Sequence, residues 1–188
     1  REGNPAAKVV AGAVCMRDLG YLNDMLATGA GKAMDYLSYH GYWPDELEKA
    51  DRVRAYRALC ARYNPAIRVI QGETGVQSRS DGAGALREGA WTPRKQAKFL
   101  ARHIIADLFE EVSFASYFSC MDMIEALNGM VGDKASYLDY GYFGVLSAEF
   151  DENGIATGEY APKLSYRTLQ VIASIFREDF SLAELPVQ

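Results

Sequence analysis

Glu73 is the residue whose type and position are best suited to chemistry. It lies near the end of an apolar run, Ile67 to Gly75, and glycines stand at Gly72 and Gly75 on its two sides. A short apolar run bounded by such signals predicts a buried strand. Burying a carboxylate costs free energy unless it is paired or used. The position therefore predicts a functional carboxylate at the end of a strand, with a solvent-facing glutamate as the alternative.

The composition is that of an ordinary globular protein and excludes several kinds of partner. The 188 residues are enough for one domain with a core. The net charge is -5, with no concentrated Lys/Arg face, which argues against a nucleic-acid partner. No apolar run is long enough to span a bilayer, so no membrane partner is expected.

The cysteines and histidines predict neither a disulfide framework nor a metal site. The chain has three cysteines, Cys15, Cys60 and Cys120, without metal-site spacing, and we expect free thiols in buried or half-buried positions. Free thiols favour the cytoplasm. The chain starts at Arg1, however, so a secreted protein whose leader was removed and a piece of a longer chain also fit. With two histidines, a histidine-based zinc site is not expected, and no metal or organic cofactor is implied.

Strand and helix patterns alternate along the chain. Strands are predicted at Lys8 to Cys15, Asp35 to Tyr42, Ile67 to Gly75 and Val112 to Cys120. Helices are predicted from Asp18 to a stop at Gly29 to Gly31 within the stretch Asp18 to Met34, and at Asp45 to Tyr63, Thr92 to Leu108 and Ser165 to Phe176. Met121 to Pro162 is predicted to be an irregular excursion with a hairpin turn at Asp151 to Gly154, and 177–188 a loosely held tail. The alternation predicts an α/β fold with a parallel sheet and right-handed crossovers.

Two architectures fit this order of elements. One is an open, doubly wound sheet, and the other is half of an eight-stranded α/β barrel, since a complete barrel needs about 250 residues. The first strand is followed by no glycine-rich phosphate fingerprint, because the spacing in Ala11 to Val14 is wrong. That absence counts against a dinucleotide-binding sheet.

Several stretches together resemble the C-terminal half of clan A glycoside hydrolases, which are retaining glycosidases built on a TIM barrel. Asp35 to Tyr42 resembles the sixth strand of that clan, with its His-x-Tyr end, and Gln71 to Gly75 resembles the seventh, with the nucleophile glutamate. Asn4 to Val10 resembles the entry to strand five, and Gln96 to Arg102 resembles helix seven. Tyr117 to Asp122 resembles the end of strand eight, and Pro162 to Gln170 resembles helix eight. The resemblance covers nearly the whole chain and depends on the order and spacing of motifs.

The resemblance implies a fold, an activity and a partner. Residues 1–188 would be the C-terminal portion of a single (β/α)8 barrel domain, with strands five to eight and their helices. The implied function is hydrolysis of O-glycosidic bonds in a β-glycoside by double displacement, with Glu73 as nucleophile. The clan's acid/base glutamate follows strand four, which has no counterpart here. Besides the carbohydrate substrate, the implied partner is therefore an N-terminal half-barrel or a second chain.

The resemblance also suggests roles for residues beside the nucleophile. The Tyr42 hydroxyl would donate to the Glu73 carboxylate, aim it and favour its ionised form. His40 would face the same mouth and hydrogen-bond either a sugar hydroxyl or the surroundings of the nucleophile. The alternative for His40 and Tyr42 is a pair of core aromatics with satisfied polar tips.

Three more candidates for substrate binding carry alternatives of their own. Trp43 is either a stacking platform for a sugar or a loop aromatic that covers a helix end. Tyr117 stands on strand eight, where the clan often has tryptophan, and this departure changes the floor of the sugar site. Asp122 either contacts substrate or caps the following segment.

Two other functions remain open from the sequence. One is a catalytically inactive carbohydrate-binding relative that keeps Trp43, His40 and Tyr42. The other is an unrelated α/β domain such as an open-sheet hydrolase, but no Gly-x-Ser-x-Gly elbow is present. That alternative predicts that the first strand, Lys8 to Cys15, lies in the middle of an open sheet.

Overall fold

A computed structural model describes residues 3–15, 19–124, 140–151 and 154–177. The strands are β1 (Val10–Val14), β2 (Tyr36–His40), β3 (Arg68–Thr74), β4 (Ala115–Tyr117), β5 (Met123–Ile124), β6 (Tyr140–Gly141), β7 (Leu146–Phe150) and β8 (Ala156–Pro162). The helices are α1 (Leu19–Ala27), α2 (Glu46–Tyr63), α3 (Pro93–Phe109) and α4 (Leu164–Ile175), with a 3₁₀ turn at Ala30–Lys32. No helix in the described ranges is long and apolar enough to cross a membrane.

The chain divides into two compact units. We call them the sheet unit, formed by Arg1–Gly75 and Ala106–Phe118, and the hairpin unit, formed by Val76–Ile105 and Ser119–Gln188.

The sheet unit contains one four-stranded sheet whose strands are all parallel. Its spatial order is β1-β2-β3-β4, the same as the order along the chain. The prediction of an α/β fold with a parallel sheet is therefore confirmed. In the part of the chain that the structure describes, the sheet has β1 and β4 as its outer strands and does not close into a barrel.

An apolar core fills the sheet unit. It consists of buried side chains from α1, α2, the strands and the segments that connect them: Leu22, Leu26, Met34, Leu37, Tyr39, Trp43, Val53, Tyr56, Leu59, Cys60, Ile67 and Val69. Along α2 the buried face follows the helical period, but it includes a lysine, Lys49, which is 1% exposed. Leu47, in the first turn of α2, is 72% exposed and lies outside this buried face.

Helix ends agree with the predicted signals at three places. Asp45 caps α2 by accepting a hydrogen bond from the backbone N–H of Leu47 at 2.7 Å. Thr92 Oγ1 likewise accepts from the N–H of Lys95 at 3.2 Å, at the start of α3. The first helix is predicted to stop at Gly29 to Gly31, and α1 ends just before these residues, at Ala27. Gly29 follows with φ of +95°, a conformation that glycine adopts easily and that terminates helices.

The buried face of α3 is more polar than expected. Ala97 and Leu100 are buried, whereas Ile105 is 38% exposed. The stripe continues through the buried side chains of His103 and Asp107. Polar residues therefore occupy places that apolar periodicity assigns to aliphatic ones.

The hairpin unit contains two antiparallel pairs. β7 pairs with β8, which confirms the predicted hairpin, and β5 pairs with β6. β4, at Ala115–Tyr117, is shorter than the predicted strand. On α4, Ser165 is buried, and Ala173 is exposed although it was expected inside. The predicted tail lies outside the described residues except for Arg177.

All three cysteines are free, as predicted, but their exposure differs from the expectation. Cys60 is buried in the core of the sheet unit. Cys15, just after β1, and Cys120, just after β4, are exposed. Both cysteines lie beyond the last residue of a strand, so the chain at these positions is no longer covered by the sheet, although the apolar run predicted burial.

Candidate active site

The carboxylate of Glu73 is aimed by an irregularity in the parallel sheet. Tyr39 of β2 pairs with Gln71 of β3, but the next residue of β2, His40, pairs with Glu73. Gly72 is therefore an extra residue on β3, as in a β-bulge. A bulge re-aims the side chains that follow it, and here it brings Glu73 into register with His40.

The bulge requires glycine at position 72. A Cβ there would collide with Oγ of Ser38 and would lie 3.5 to 3.6 Å from the imidazole of His40. Ser38 is buried on β2, so it cannot move out to solvent. The reason for Gly72 is thus close approach between the two strands, just before the candidate nucleophile.

Tyr42 and His40 both contact the carboxylate of Glu73. The Tyr42 hydroxyl donates a short hydrogen bond to Oε1 of Glu73. Nδ1 of His40 lies 3.6 Å from Oε2, within ion-pair range but beyond a hydrogen bond. The side chain of Glu73 is 32% exposed and that of His40 is 25% exposed. The carboxylate is therefore held on one side and remains open to a ligand.

Backbone contacts fix the ends of β2 and β3 against each other. The N–H of Gly41 donates to the carbonyl of Glu73 at 2.8 Å. The Thr74 hydroxyl donates back to the carbonyl of Gly41 at 2.5 Å. These two bonds fix the chain on both sides of Tyr42 and Glu73 and so support the hydrogen bond between their side chains.

Trp43 is a core residue in the structure. It is 8% exposed, and its ring stacks on Tyr39 with centroids 5.7 Å apart. A Cβ on Gly41 would lie 2.9 Å from both rings, so the two aromatics close over Gly41. This burial favours the alternative of a packed loop aromatic over that of a stacking platform for a sugar. Its position instead helps to fix the segment that carries Tyr42.

A buried ionic group supports Tyr39 from the helix layer. Its hydroxyl donates to Asp107 Oδ1 at 3.4 Å, and Lys49 Nζ donates to Asp107 Oδ2 at 2.5 Å. Burial raises the pKa of Asp107 and lowers that of Lys49, and the attraction between the two opposes each shift. Burial is the largest cause that raises the pKa of Tyr39, and the negative charge of Asp107 is the next largest. The sequence patterns did not single out Lys49 and Asp107, although Lys49 shares the helical spacing of the buried residues Val53 and Tyr56.

Tyr117 and Asp122 lie in different units. Tyr117, on β4, is half-buried and pairs in register with Thr74, the residue after Glu73. Asp122, in the hairpin unit, is 4% exposed and accepts hydrogen bonds from Lys163 Nζ at 2.5 Å and from the Gly144 N–H at 2.9 Å. Burial raises the pKa of Asp122. Asp122 thus pairs internally and tethers Gly144, which lies 22 residues later and is not part of the segment directly after Asp122.

Metal ligands are not clustered in the described part of the chain. No three His, Cys, Asp or Glu side chains in residues 3–15, 19–124, 140–151 and 154–177 lie close enough to hold a metal ion. The chemistry available around Glu73 is that of a carboxylate, a phenol and an imidazole.

No family model and no curated protein matches the sequence. Solved structures do share its fold. A β-glucuronidase of Ruminococcus gnavus matches with a TM-score of 0.52 and 15% identity, over 78% of this chain and 23% of that one. A GH2 β-galacturonidase of Eisenbergiella tayi, bound to glycerol, matches with a TM-score of 0.53 and 13% identity, over 80% of this chain and 25% of that one. A Bifidobacterium dentium β-glucuronidase complexed with coumarin-3-O-glucuronide matches with a TM-score of 0.50 and 15% identity, over 88% of this chain and 23% of that one.

At these identities the likeness is one of fold. The fold is one that occurs in glycoside hydrolases, which agrees with the resemblance in the sequence at that level. The chain spans about a quarter of the length of these three structures.

Proposed function

We propose that this chain carries the nucleophile of a retaining glycoside hydrolase, and that Glu73 is that nucleophile. The observation that carries the proposal is the position of Glu73 near the carboxyl end of a parallel strand, with its carboxylate held by Tyr42 and still open to a ligand. The carboxyl ends of the strands are where α/β barrels place catalytic residues. The substrate is a carbohydrate, in the form of a β-glycoside.

The order of the strands supports a half-barrel as the scaffold. In a doubly wound sheet the strand order reverses near the first strand. Here the order is β1-β2-β3-β4, and β1 lies at an edge. Successive neighbours are the arrangement of a barrel, in which each strand pairs with the next. The four strands therefore correspond to strands five to eight of a (β/α)8 barrel, and the first four strands are supplied by a further segment or a second chain.

The reaction proceeds in two displacements. The Glu73 carboxylate attacks the anomeric carbon, a glycosyl ester forms, and the bond to the leaving oxygen breaks. A carboxylic acid about 5 Å away protonates that oxygen, and the same group then takes a proton from the water that hydrolyses the ester. That second carboxyl group comes from outside this chain. Tyr42 positions Oε1 of Glu73, and His40 lies beside Oε2, where it can donate to a sugar hydroxyl.

Covalent trapping of the nucleophile tests this function. Activated 2-deoxy-2-fluoro glycosides trap a retaining nucleophile without help from the acid, because the leaving group departs unaided. The full-length protein that carries this chain is incubated with a panel that includes the glucuronide, galacturonide, glucoside and galactoside. Intact mass and peptide mapping then locate the adduct, which we expect on Glu73.

Two variants make the result specific. Glu73→Gln is expected to give no adduct and no turnover while it keeps its thermal stability. Glu88→Gln changes a glutamate whose side chain is 94% exposed and should behave like the parent protein. An adduct on another carboxylate would refute the assignment of Glu73. No adduct across the panel on folded protein would favour a carbohydrate-binding relative without catalysis.

A further inference from the structure

A second candidate site lies entirely within the hairpin unit. It is a cavity of about 340 Å³, near the lower end of the range for small-molecule sites. Three aromatic residues contribute to its lining, Tyr140, Tyr142 and Phe150, together with the polar side chains of Arg79, Ser147 and Glu149. The proposed catalytic chemistry at Glu73 uses none of these residues.

The aromatic rings form a continuous wall. The rings of Tyr140 and Tyr142 stack with centroids 6.2 Å apart and an angle of 17° between their planes. Phe150 continues the wall, with its ring centroid 5.7 Å from that of Tyr140. The guanidinium carbon of Arg79 lies 4.3 Å from the centroid of Tyr142, so the cation packs on this ring. Such a wall offers flat apolar faces beside polar groups.

The charges around the cavity are largely compensated. Lys163 is paired with Asp122 at 2.5 Å. Arg79 forms two hydrogen bonds to Asp81, at 2.9 and 2.6 Å. Both cations on the lining therefore already have a carboxylate, and Glu149 adds a negative charge. This balance does not favour an anionic ligand and suits a neutral one with many hydroxyl groups.

Buried hydrogen bonds hold the cavity in shape. Lys163 Nζ also donates to Ser78 Oγ at 2.8 Å and to the carbonyl of Tyr142 at 3.3 Å. The backbone N–H of Tyr142 donates to Gln77 Oε1 at 2.7 Å, and Gln96 Nε2 lies 3.2 Å from the Tyr142 carbonyl. Both glutamines are fully buried. The backbone under Tyr142 is thus fixed before any ligand arrives, which lowers the entropic cost of binding.

We propose that this cavity binds one pyranose ring of a neutral saccharide. The apolar face of the pyranose packs on Tyr140 and on the side of Tyr142 that Arg79 does not cover, and its hydroxyl groups bond to Ser147 and Glu149. The choice of a saccharide rests in part on the carbohydrate substrate of the proposed function, but binding here needs no catalysis by Glu73. The site gives the protein a second point of attachment to an oligosaccharide.

The test measures saccharide binding to the full-length protein in the Glu73→Gln background, which prevents turnover. Saturation-transfer NMR with methyl glycosides and short β-linked oligosaccharides identifies a ligand, and calorimetry gives its Kd. Tyr142→Ala is expected to weaken binding about tenfold, since it removes the stacking face. Tyr142→Phe keeps the ring and should stay within about threefold of the parent.

Two further variants guard against misfolding and give a matched control. Glu149→Gln removes a hydrogen-bonding charge at an exposed position and should weaken binding without changing Tm. Tyr160→Ala removes a tyrosine of the same unit that is 48% exposed and does not line the cavity, and it should leave binding unchanged. Unchanged binding in both Tyr142→Ala and Glu149→Gln would overturn the proposal, as would the absence of any saccharide ligand.

The outcomes separate this site from the catalytic proposal. If trapping fails at Glu73 but Tyr142→Ala abolishes saccharide binding, the cavity proposal stands and the nucleophile assignment falls. If Glu73 is trapped but the variants of the cavity bind saccharides normally, the nucleophile assignment stands and the cavity proposal falls.

Discussion

The hydroxyl of Tyr42 donates a hydrogen bond to Oε1 of Glu73, from the segment just after one strand to the end of the next. This contact links the two residues on which the proposed mechanism most depends. The resemblance to clan A glycoside hydrolases implied this contact, and the structure contains it. Its contribution to rate can be measured separately from its contribution to folding.

Tyr42→Phe removes this hydrogen bond and keeps the ring. A hydrogen bond to a charged group contributes about 1.5–3 kcal/mol. We therefore expect the rate of trapping of Glu73, and kcat/KM, to fall by about 10- to 100-fold. Tyr63→Phe is the matched control, since the Tyr63 hydroxyl bonds to Asn23 in an exposed place. Equal rates for Tyr42→Phe and the parent protein would show that the hydroxyl does not position the carboxylate.

Gly72→Ala tests the bulge that aims Glu73. The new Cβ would collide with Ser38 Oγ, and overpacking of this kind costs about 1–3 kcal/mol of unfolding free energy. Removing the obstacle should relieve the cost, so the double variant Gly72→Ala/Ser38→Ala should be more stable than the sum of the single effects predicts. Denaturant unfolding of the four proteins gives the coupling. Strict additivity would mean that Ser38 does not limit the space at Gly72.

Lys49→Met tests the buried ionic group beneath Tyr39. It leaves the carboxylate of Asp107, which is 5% exposed, without its ammonium partner. Breaking a buried pair in this way costs about 3–5 kcal/mol. The double variant Lys49→Met/Asp107→Asn removes both charges and should recover much of that loss, as measured by denaturant unfolding. A single variant as stable as the parent would contradict the expected cost.

The same variant has a predicted pH dependence. Burial already raises the pKa of Asp107 in the folded protein, and loss of Lys49 removes the attraction that opposes this rise. A carboxyl whose pKa is higher in the folded than in the unfolded chain binds more protons when folded, so folding becomes more favourable as pH falls. The deficit of Lys49→Met relative to the double variant should therefore shrink as the pH falls from neutral towards about 4, the ordinary pKa of an aspartate. A constant deficit over this range would argue against protonation of Asp107.

Alkylation should distinguish the three cysteines. Burial raises the pKa of the Cys60 thiol to about 11, so at neutral pH it is both covered and protonated. Cys15 and Cys120 are exposed. Iodoacetamide at neutral pH should modify these two in the folded protein and Cys60 only after unfolding, as read by peptide mapping. Rapid labelling of Cys60 under native conditions would show that its part of the core opens easily.

Much of the sheet unit follows from local pattern. Apolar runs and helical periods indicated every strand of the parallel sheet and both flanking helices, because burial between layers leaves a periodic signal. Asp45 and Thr92 also marked two helix starts correctly. The candidate nucleophile was found through motif order, since no single residue around Glu73 is specific.

The remaining features depend on contacts that a single sequence does not reveal. The burial of Lys49 is possible only because Asp107 reaches it from a helix 58 residues later. Gly72 looks like an ordinary strand-end glycine until Ser38 is seen opposite it. Trp43 carries no local sign that Tyr39 stacks on it. For Lys49 and Gly72 the deciding partner is distant along the chain, whereas Trp43 stacks on a residue only four positions earlier.

The spatial order of the sheet also bears on how the chain assembles. Because β1, β2, β3 and β4 pair in the order in which they are synthesised, each new strand can add to the edge left by the one before it. No strand has to be inserted between two that are already paired. The Tyr42–Glu73 contact can therefore form as soon as β3 has docked, before β4 and the hairpin unit have been made.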